Sequence, residues 1–420
     1  MTPPTETDVL IVGGGPAGAL LGCLLARRGI DVVVAEKQSD FTRDFRGESL
    51  AAASVRALRD LGFGPALDHH GYLETTGVTM RLEGRRAFHV DHRRLRADTL
   101  PIEFPQPALI ALLTDSAAAL PHHTFLPGTR FTALIEDDGI VRGARLRTGD
   151  GTTTDVRARL VVGADGRFSK VRKAAGLDST VLNARRDLLS FKLPRPADWP
   201  MDAELVVHGG RHLAVLPTYP DALRVSHNVS KRGLGALRAE GFGRFKERVA
   251  SVDPRLAALA HEHLASWKDT SFLEVFNADL RQWTRDGLVL IGDASHTCTP
   301  TLGQGVNLAI QDVVALTPLI AAALTAPTRD GHVPAARFDA FVAARRAHKM
   351  FVTDFQRRQE EALAQHTPWQ VVRRRARYRV LDALPLKYRV FDRVLNTPHD
   401  IHPVDRSLVP LHAPVAGLRG

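Results

Sequence analysis

Two glycine-rich, acid-bearing segments carry the residues best suited to chemistry. The first is Gly13-Gly-Gly-Pro-Ala-Gly18, which follows the apolar run Asp8–Val12 and opens a helix. Gly13 permits a tight turn, Gly15 lets the backbone approach a pyrophosphate, and Gly18 lets the helix pack on the strand. Pro16 and Ala17 begin that helix, whose first amides and partial positive charge suit phosphates. Glu36 ends the next β-rich run, Asp31–Ala35, with Lys37 beside it. A carboxylate there accepts from a ribose hydroxyl and repels a 2′-phosphate. The second segment is Leu288-Val-Leu-Ile-Gly292 running into Asp293, a Pro/Gly loop through Pro300 and Gly303-Gln304-Gly305, and an amphipathic helix beginning near Gly305. Taken alone it is a strand, a loop and a helix with a buried acid. The segments lie nearly the whole chain apart, so one ligand reaches both only if it is long. FAD is such a ligand, with adenine at one end and isoalloxazine at the other.

A third segment lies between them, Gly163-Ala-Asp165-Gly166-Arg-Phe-Ser169-Lys-Val-Arg172, at the end of the apolar run Leu160–Gly163. Asp165 and Asp293 would each pass singly for a turn or capping carboxylate. In this order and spacing the three segments resemble the fingerprints of the p-hydroxybenzoate hydroxylase-like (class A) FAD monooxygenases, over roughly Asp8 to Leu324. The resemblance implies non-covalent FAD, with NAD(P)H as co-substrate. It implies hydroxylation or epoxidation of an aromatic or polyketide-like small molecule through a flavin C4a-hydroperoxide. By position, Asp293 would bond the ribityl chain, Pro300 would sit against the ring, and Gly303, Gln304 and Gly305 would line the isoalloxazine edge. The helix starting at Val306 and Asn307 would aim its positive end at reduced flavin. Asp165 would serve both FAD and NAD(P)H. Arg46, in Phe45-Arg-Gly-Glu48, and Gln106, ahead of an apolar helix, would contact the cofactor. The resemblance names no catalytic side chain, because the flavin carries the chemistry. Two alternatives stay open: a flavin-dependent reductase of the geranylgeranyl-reductase type, and a non-catalytic flavin-binding redox regulator. The Trp-x-Trp-x-Ile-Pro segment of the flavin halogenases is absent.

Other residues read more plainly. His296 and Cys298 flank the expected flavin site, as a neighbouring donor and a small loop residue. His122-His123 and His261-x-His263 lack a third ligand at a recognisable spacing, so no metal is expected. Two cysteines, Cys23 and Cys298, argue against a structural disulfide. The net charge of +10, mostly arginine, suits either a solvated surface or a field that draws an anionic cofactor. No nucleic-acid motif accompanies it. The start, Met1–Thr7, lacks the marks of a signal peptide, Asp8–Val12 is too short to cross a bilayer, and Gly22 interrupts Ala17–Ala26. These features predict a cytoplasmic protein without an integral membrane segment. The arginine cluster Arg373–Arg375, with Arg377 and Arg379, reads as a solvated helix face or an oligomer contact, which leaves a homodimer open, with a membrane-surface contact as the alternative.

The elements that must hold these residues follow from periodicity. Asp8–Val12, the helix Ala17–Arg28 with Leu20, Leu21, Leu24 and Leu25 on helical spacing, and Asp31–Ala35 form a βαβ unit. Ala108–Ala119 is a further helix. Arg130–Ile135, Ile140–Thr148 and Thr153–Ala158 alternate as an antiparallel meander. Strands are expected at Leu188–Leu193, Ala203–His208, His212–Leu216, Leu223–His227 and Phe272–Asn277, and helices at Leu234–Ser251 and Pro254–Glu262. The fold expected is α/β: a Rossmann-like FAD-binding domain (1–72, 98–181 and 277–334), an inserted mixed β-sheet substrate domain (73–97 and 182–276), and a helical C-terminal segment (335–420). Substrate contacts are expected from the sheet, at Phe191, His208, Leu216, Pro217, Tyr219 and His227.

Overall fold

The computed structural model describes residues 4–41, 48–183, 185–326, 331–363, 367–395 and 404. Its first strand, Glu6–Val12, lies between Val32–Ala35 and Thr153–Gly163, parallel to both, with Val12 opposite Ala35 and Gly163. Leu288–Leu290 adds in parallel beyond Thr153–Gly163, and His123–Leu126 beyond Val32–Ala35. The antiparallel pair Arg130–Asp137 and Ile140–Arg147 branches from the first half of Thr153–Gly163, and Thr284–Arg285 closes one edge. Parallel strands covered on both faces need continuous apolar runs, and Val9 to Val12, Val32 to Ala35 and Leu160 to Val162 supply them.

Helix Pro16–Ala26 packs against both Gln106–Ala118 and Gln304–Thr325. It is apolar all round, and every residue from Ala17 to Ala26 is buried, as expected for a core helix. Thr301–Thr325 is long and apolar enough to cross a membrane, yet 67% of its apolar window is buried within the protein.

A second, seven-stranded sheet runs in the order Thr270–Leu273, Arg186–Pro194, Ala222–Ser230, Arg211–Thr218, Asp202–His208, Gly77–Leu82, Arg85–Asp91. Only the pairing of Asp202–His208 with Gly77–Leu82 is parallel. Leu189, Phe191, Leu213, Val215 and Val225 on one face pack against Phe245, Val249 and Val252 of helix Phe242–Val252 and against Leu256 and Ala260. The other face looks into a cavity. Two elements differ from expectation. The helix expected over Leu234–Ser251 breaks into Leu234–Ala239 and Phe242–Val252, because Gly241 takes φ +94°. The strand expected at Phe272–Asn277 splits. Thr270–Leu273 joins the seven-stranded sheet, while Phe276–Leu280 pairs with Ser179–Asn183 in a two-stranded ribbon. The tail forms helices Asp339–Leu363, Pro368–Ala383 and Leu386–Leu395. Tyr378, Phe391 and Leu395 pack on Met80, Phe88 and Val90.

Candidate active site

One continuous cavity of about 1450 Å³ runs from the glycine loop to the inner face of the seven-stranded sheet. Single-ligand pockets usually span ≈ 300–1,000 Å³, so this one has room for two ligands. At its first end the backbone itself forms the wall. A Cβ on Gly18 would lie 1.9 Å from the Gly13 carbonyl oxygen, and one on Gly13, at φ +111°, 2.4 Å from that of Ala164. Gly15 caps the helix, Pro16 opens it, and both line the cavity with Gly13 and Ala17. The first-turn amides of a helix have no intrahelical acceptor, so this end offers donors to an anion. Glu36 is buried, and its carboxylate accepts from the amides of Gly14 at 2.7 Å and Gln38 at 2.9 Å. That fixes the acid at the cavity wall, with Lys37 and Gln106 also lining it.

A second helix N-terminus converges on the same space. Leu302 and Gly303 both take left-handed conformations, φ +60° and +62°, just before helix Gln304–Thr325. A β-carbon on Gly303 would sit 3.0 Å from that of Ser49. Asp293, Pro300, Gly303, Gly305 and Val306 line the cavity. Gln304 and Asn307 do not: Gln304 donates to the Leu302 carbonyl, and Asn307 donates to Ser49 O and Gly303 O while accepting from Ala51 N. These amides build the loop instead of facing the ligand space. Asp165 lines the cavity, but its carboxylate accepts from the Ser169 hydroxyl and the amides of Lys170 and Val171. It caps helix Lys170–Ala174. Gly18 serves close packing beneath the loop. Arg46 lies outside the described residues.

Behind the Asp293 turn lies a network that the motifs did not reveal. Asp312 is fully buried and accepts from Gly292 N, His296 Nε2 and Arg345 Nε at 2.9, 2.6 and 2.7 Å. Burial opposes its charge, but His296 and Arg345 outweigh that and hold its carboxyl far below the usual range. Asp312 is the only charged residue of helix Gln304–Thr325, and that was the available signal. His296 thus anchors the turn. Burial, with Asp293 nearby, pushes the Cys298 thiol up to about 12, so it stays protonated and is a poor nucleophile. Among the described residues no group of three His, Cys, Asp or Glu could hold a metal ion.

The cavity continues over the seven-stranded sheet, where Leu188, Ser190, Ala214, Leu216, Arg224 and Ser226 form the floor. Helices of the tail form the roof, with Phe355, Leu381 and Phe391. Of the sheet residues expected to meet a substrate, only Leu216 lines it. Phe191 and His227 point the other way, onto the Phe245 ring at 5.7 Å each. Pro217 shares the parity of Leu213 and Val215 and is buried with them. His208 pairs with Glu83 at an exposed strand end, and Tyr219 packs on His70 and donates to its carbonyl. The corrections at Phe191, His227 and Pro217 share one cause: side chains alternate across a strand, and residue type did not reveal which face looked inward. His208 instead ends its strand, and Tyr219 lies in the turn beyond Arg211–Thr218. In the tail, Arg377 lines the cavity and Arg374 is buried, whereas Arg373 and Arg379 are exposed.

A buried polar junction joins the two ends. Glu48 takes hydrogen bonds from Lys192 at 3.0 Å, Thr218 at 2.8 Å and Arg224 at 3.1 Å; Arg224 also donates to Ser49 Oγ and Glu103. Glu48 is held below the usual carboxylate range; burial raises it, but Arg224 and Lys192 prevail. Glu103, more deeply desolvated, is pushed up to about 7.

The glycine cradle, the anchored acids and two converging helix N-termini fit a long dinucleotide such as FAD. Comparison with known proteins agrees. The family model described as an FAD binding domain matches residues 6–356. 6-Methylpretetramide 4-monooxygenase of Streptomyces rimosus is 38% identical over 324 residues, covering 76% of this chain and 77% of its own. Ubiquinone hydroxylase UbiL of Rhodospirillum rubrum is 31% identical over 353 residues, covering 75% and 72%. Among solved structures, p-nitrophenol 4-monooxygenase PnpA of Pseudomonas putida shares the fold with a TM-score of 0.77 at 19% identity, covering 93% of this chain and 97% of that one. The chain is an oxidoreductase that uses FAD, and it belongs to the class A-like FAD-binding monooxygenases.

Proposed function

We propose that the protein hydroxylates a fused polycyclic aromatic compound of the polyketide type, using NAD(P)H and dioxygen. The observation behind this is the single cavity that joins a dinucleotide cradle to a long apolar chamber. The 38% identity to an enzyme acting on 6-methylpretetramide adds the substrate type. Bound FAD would supply electron exchange with NAD(P)H and the activation of dioxygen. The protein's own residues bind, orient and exclude water. Backbone amides around Gly13–Gly18 hold the pyrophosphate, Glu36 accepts from the adenosine ribose, and Asp293 accepts from the ribityl chain. The Gly303 loop would border the ring, and the N-terminus of helix Gln304–Thr325 would favour negative charge there. Leu216 and Ser190 carry the substrate, and Phe355, Leu381 and Phe391 keep water from it. This divides the work as 1–72, 98–181 and 277–334 for cofactor and 73–97 and 182–276 for substrate, roofed by the tail.

Anaerobic mixing of the flavin-loaded protein with NADH and with NADPH, with and without polycyclic phenols, tests the reading. Flavin reduction accelerated by a phenol is expected, followed in air by one oxygen atom in the product. If neither nicotinamide reduces the flavin with any such compound present, the reading is wrong. The same reading has the protein act in the cytoplasm, where NAD(P)H is supplied, and light scattering decides whether it acts as a homodimer.

A further inference from the structure

The chamber has a polar end that nothing above explains. Along strand Arg211–Thr218 the alternate residues His212, Ala214 and Leu216 face the cavity. Leu216 stands opposite Arg224, whose guanidinium donates at 3.0 Å to Ser49, the residue against Gly303. This is the flavin end. His212 is four residues further along, roughly 13 Å by the rise of a strand. Between them the floor is made of small side chains, Ala214 and Ser226.

His212 is held in one state. Its Nδ1 lies 2.9 Å from an Arg186 guanidinium nitrogen, and its backbone amide donates to Asn228 Oδ1 at 2.7 Å. Arginine can only donate, so Nδ1 accepts, the ring is neutral, and the proton resides on Nε2. Burial, then the Arg186 charge, pushes its pKa down to about 3, so the state holds at any working pH. Arg186 also donates to the Leu363 carbonyl, which ties this end to the roof. Among the described residues the structure records no protein partner for Nε2. A fixed donor that faces the cavity without a protein acceptor is open to one from a ligand.

We propose that His212 forms a distal binding subsite, donating from Nε2 to a carbonyl or phenolic oxygen on the far ring of a linear fused polycycle whose near ring lies beside Gly303. The inference rests on the function proposed above and adds how length is measured. A single ring at the flavin cannot reach His212; a flat system of several fused rings can.

The test titrates the FAD-loaded protein with two probes, following the flavin absorption band. Anhydrotetracycline is a linear tetracycle with oxygen along its edge, and 2-naphthol is too short to reach His212. His212→Leu should weaken tetracycle binding about tenfold, the scale of one lost hydrogen bond with a carbonyl left buried. Its FAD content and its affinity for 2-naphthol should stay as in the wild type. His212→Gln keeps an acceptor toward Arg186 and an N–H toward the cavity, and should restore the tetracycle to within about threefold of the wild type. Equal tetracycle binding by the wild type and His212→Leu overturns the subsite. So does an equal loss in the Leu and Gln variants, or an equal loss for both probes. If the wild type binds neither probe, the function proposed above fails, and the subsite with it.

Discussion

Replacing Asp312 by asparagine should uncouple the Asp293 turn from the core. The aspartate serves three donors with two oxygens: Oδ2 takes Gly292 N and His296 Nε2, and Oδ1 takes Arg345 Nε. Asparagine has one oxygen. If that oxygen faces Gly292 and His296, its amide hydrogens meet the Arg345 Nε–H; if it is flipped, they meet two donors. In both cases the Arg345 charge, 1% exposed, loses its counter-ion. Breaking a buried pair in this way costs about 3–5 kcal/mol. Arg345 keeps the Leu308 carbonyl at 3.0 Å and Gln311 Oε1 at 3.2 Å, which places the loss near the low end, about 3 kcal/mol. Urea unfolding followed by tryptophan fluorescence reads it, since the Trp283 ring lies 5.2 Å from that of His296. Adding Arg345→Met to the variant removes the stranded charge and should return about 1–2 kcal/mol. The wild-type contribution has a definite pH sign. The folded pKa of Asp312 is depressed below 3.8, so its stabilisation is complete above that value and is lost as pH falls through the folded value. A single variant within about 1 kcal/mol of the wild type, or a double variant no more stable than the single, would refute the reasoning.

Three further outcomes are expected. Gly18→Ala places a methyl 1.9 Å from backbone oxygen, so the purified variant should carry little FAD; full flavin content would contradict the cradle. Phe191→Ala should cost about 3–5 kcal/mol as a core deletion with flavin and substrate affinity kept, whereas Leu216→Trp should weaken substrate binding without affecting FAD, and urea melts with ligand titrations separate the two faces. Glu103, raised to about 7 from 4.5, stabilises the fold below pH 4.5 and loses that contribution as pH rises through 7. Glu103→Gln should therefore flatten the pH dependence of the urea midpoint, gaining up to about 3 kcal/mol over the wild type at pH 8; parallel wild-type and variant profiles would sink this.

The sequence was most legible where backbone meets backbone. Gly13 and Gly18 admit no side chain, so residue identity there reports geometry directly. The central strands were legible as well, being continuously apolar. The substrate chamber was not. Strand Arg211–Thr218 is covered on both faces, by helices on one and by the cavity on the other, so Leu213 and Val215 cannot be told from Ala214 and Leu216 by polarity. The tail was legible as helix but not as roof. Its arginines read as solvated, whereas Arg374 is buried and Arg377 borders the cavity. Contacts such as Arg186 with Leu363 lie far apart in the chain, and no local pattern encodes them.

The two large sheets are interleaved along the chain. The strands Gly77–Leu82 and Arg85–Asp91 leave the first sheet's stretch to join the second, and Leu288–Leu290 returns to the first. During synthesis, then, residues 77–91 emerge more than a hundred residues before Asp202–His208, their partner in the sheet. The nucleotide half likewise waits for residue 290 to receive its parallel edge. Such distant pairings close slowly and leave strand edges exposed meanwhile. A ribosome-bound chain stopped anywhere before residue 290 should hold neither a complete nucleotide sheet nor protease resistance, and a gene cut between the halves should yield two insoluble pieces that recover only when co-expressed.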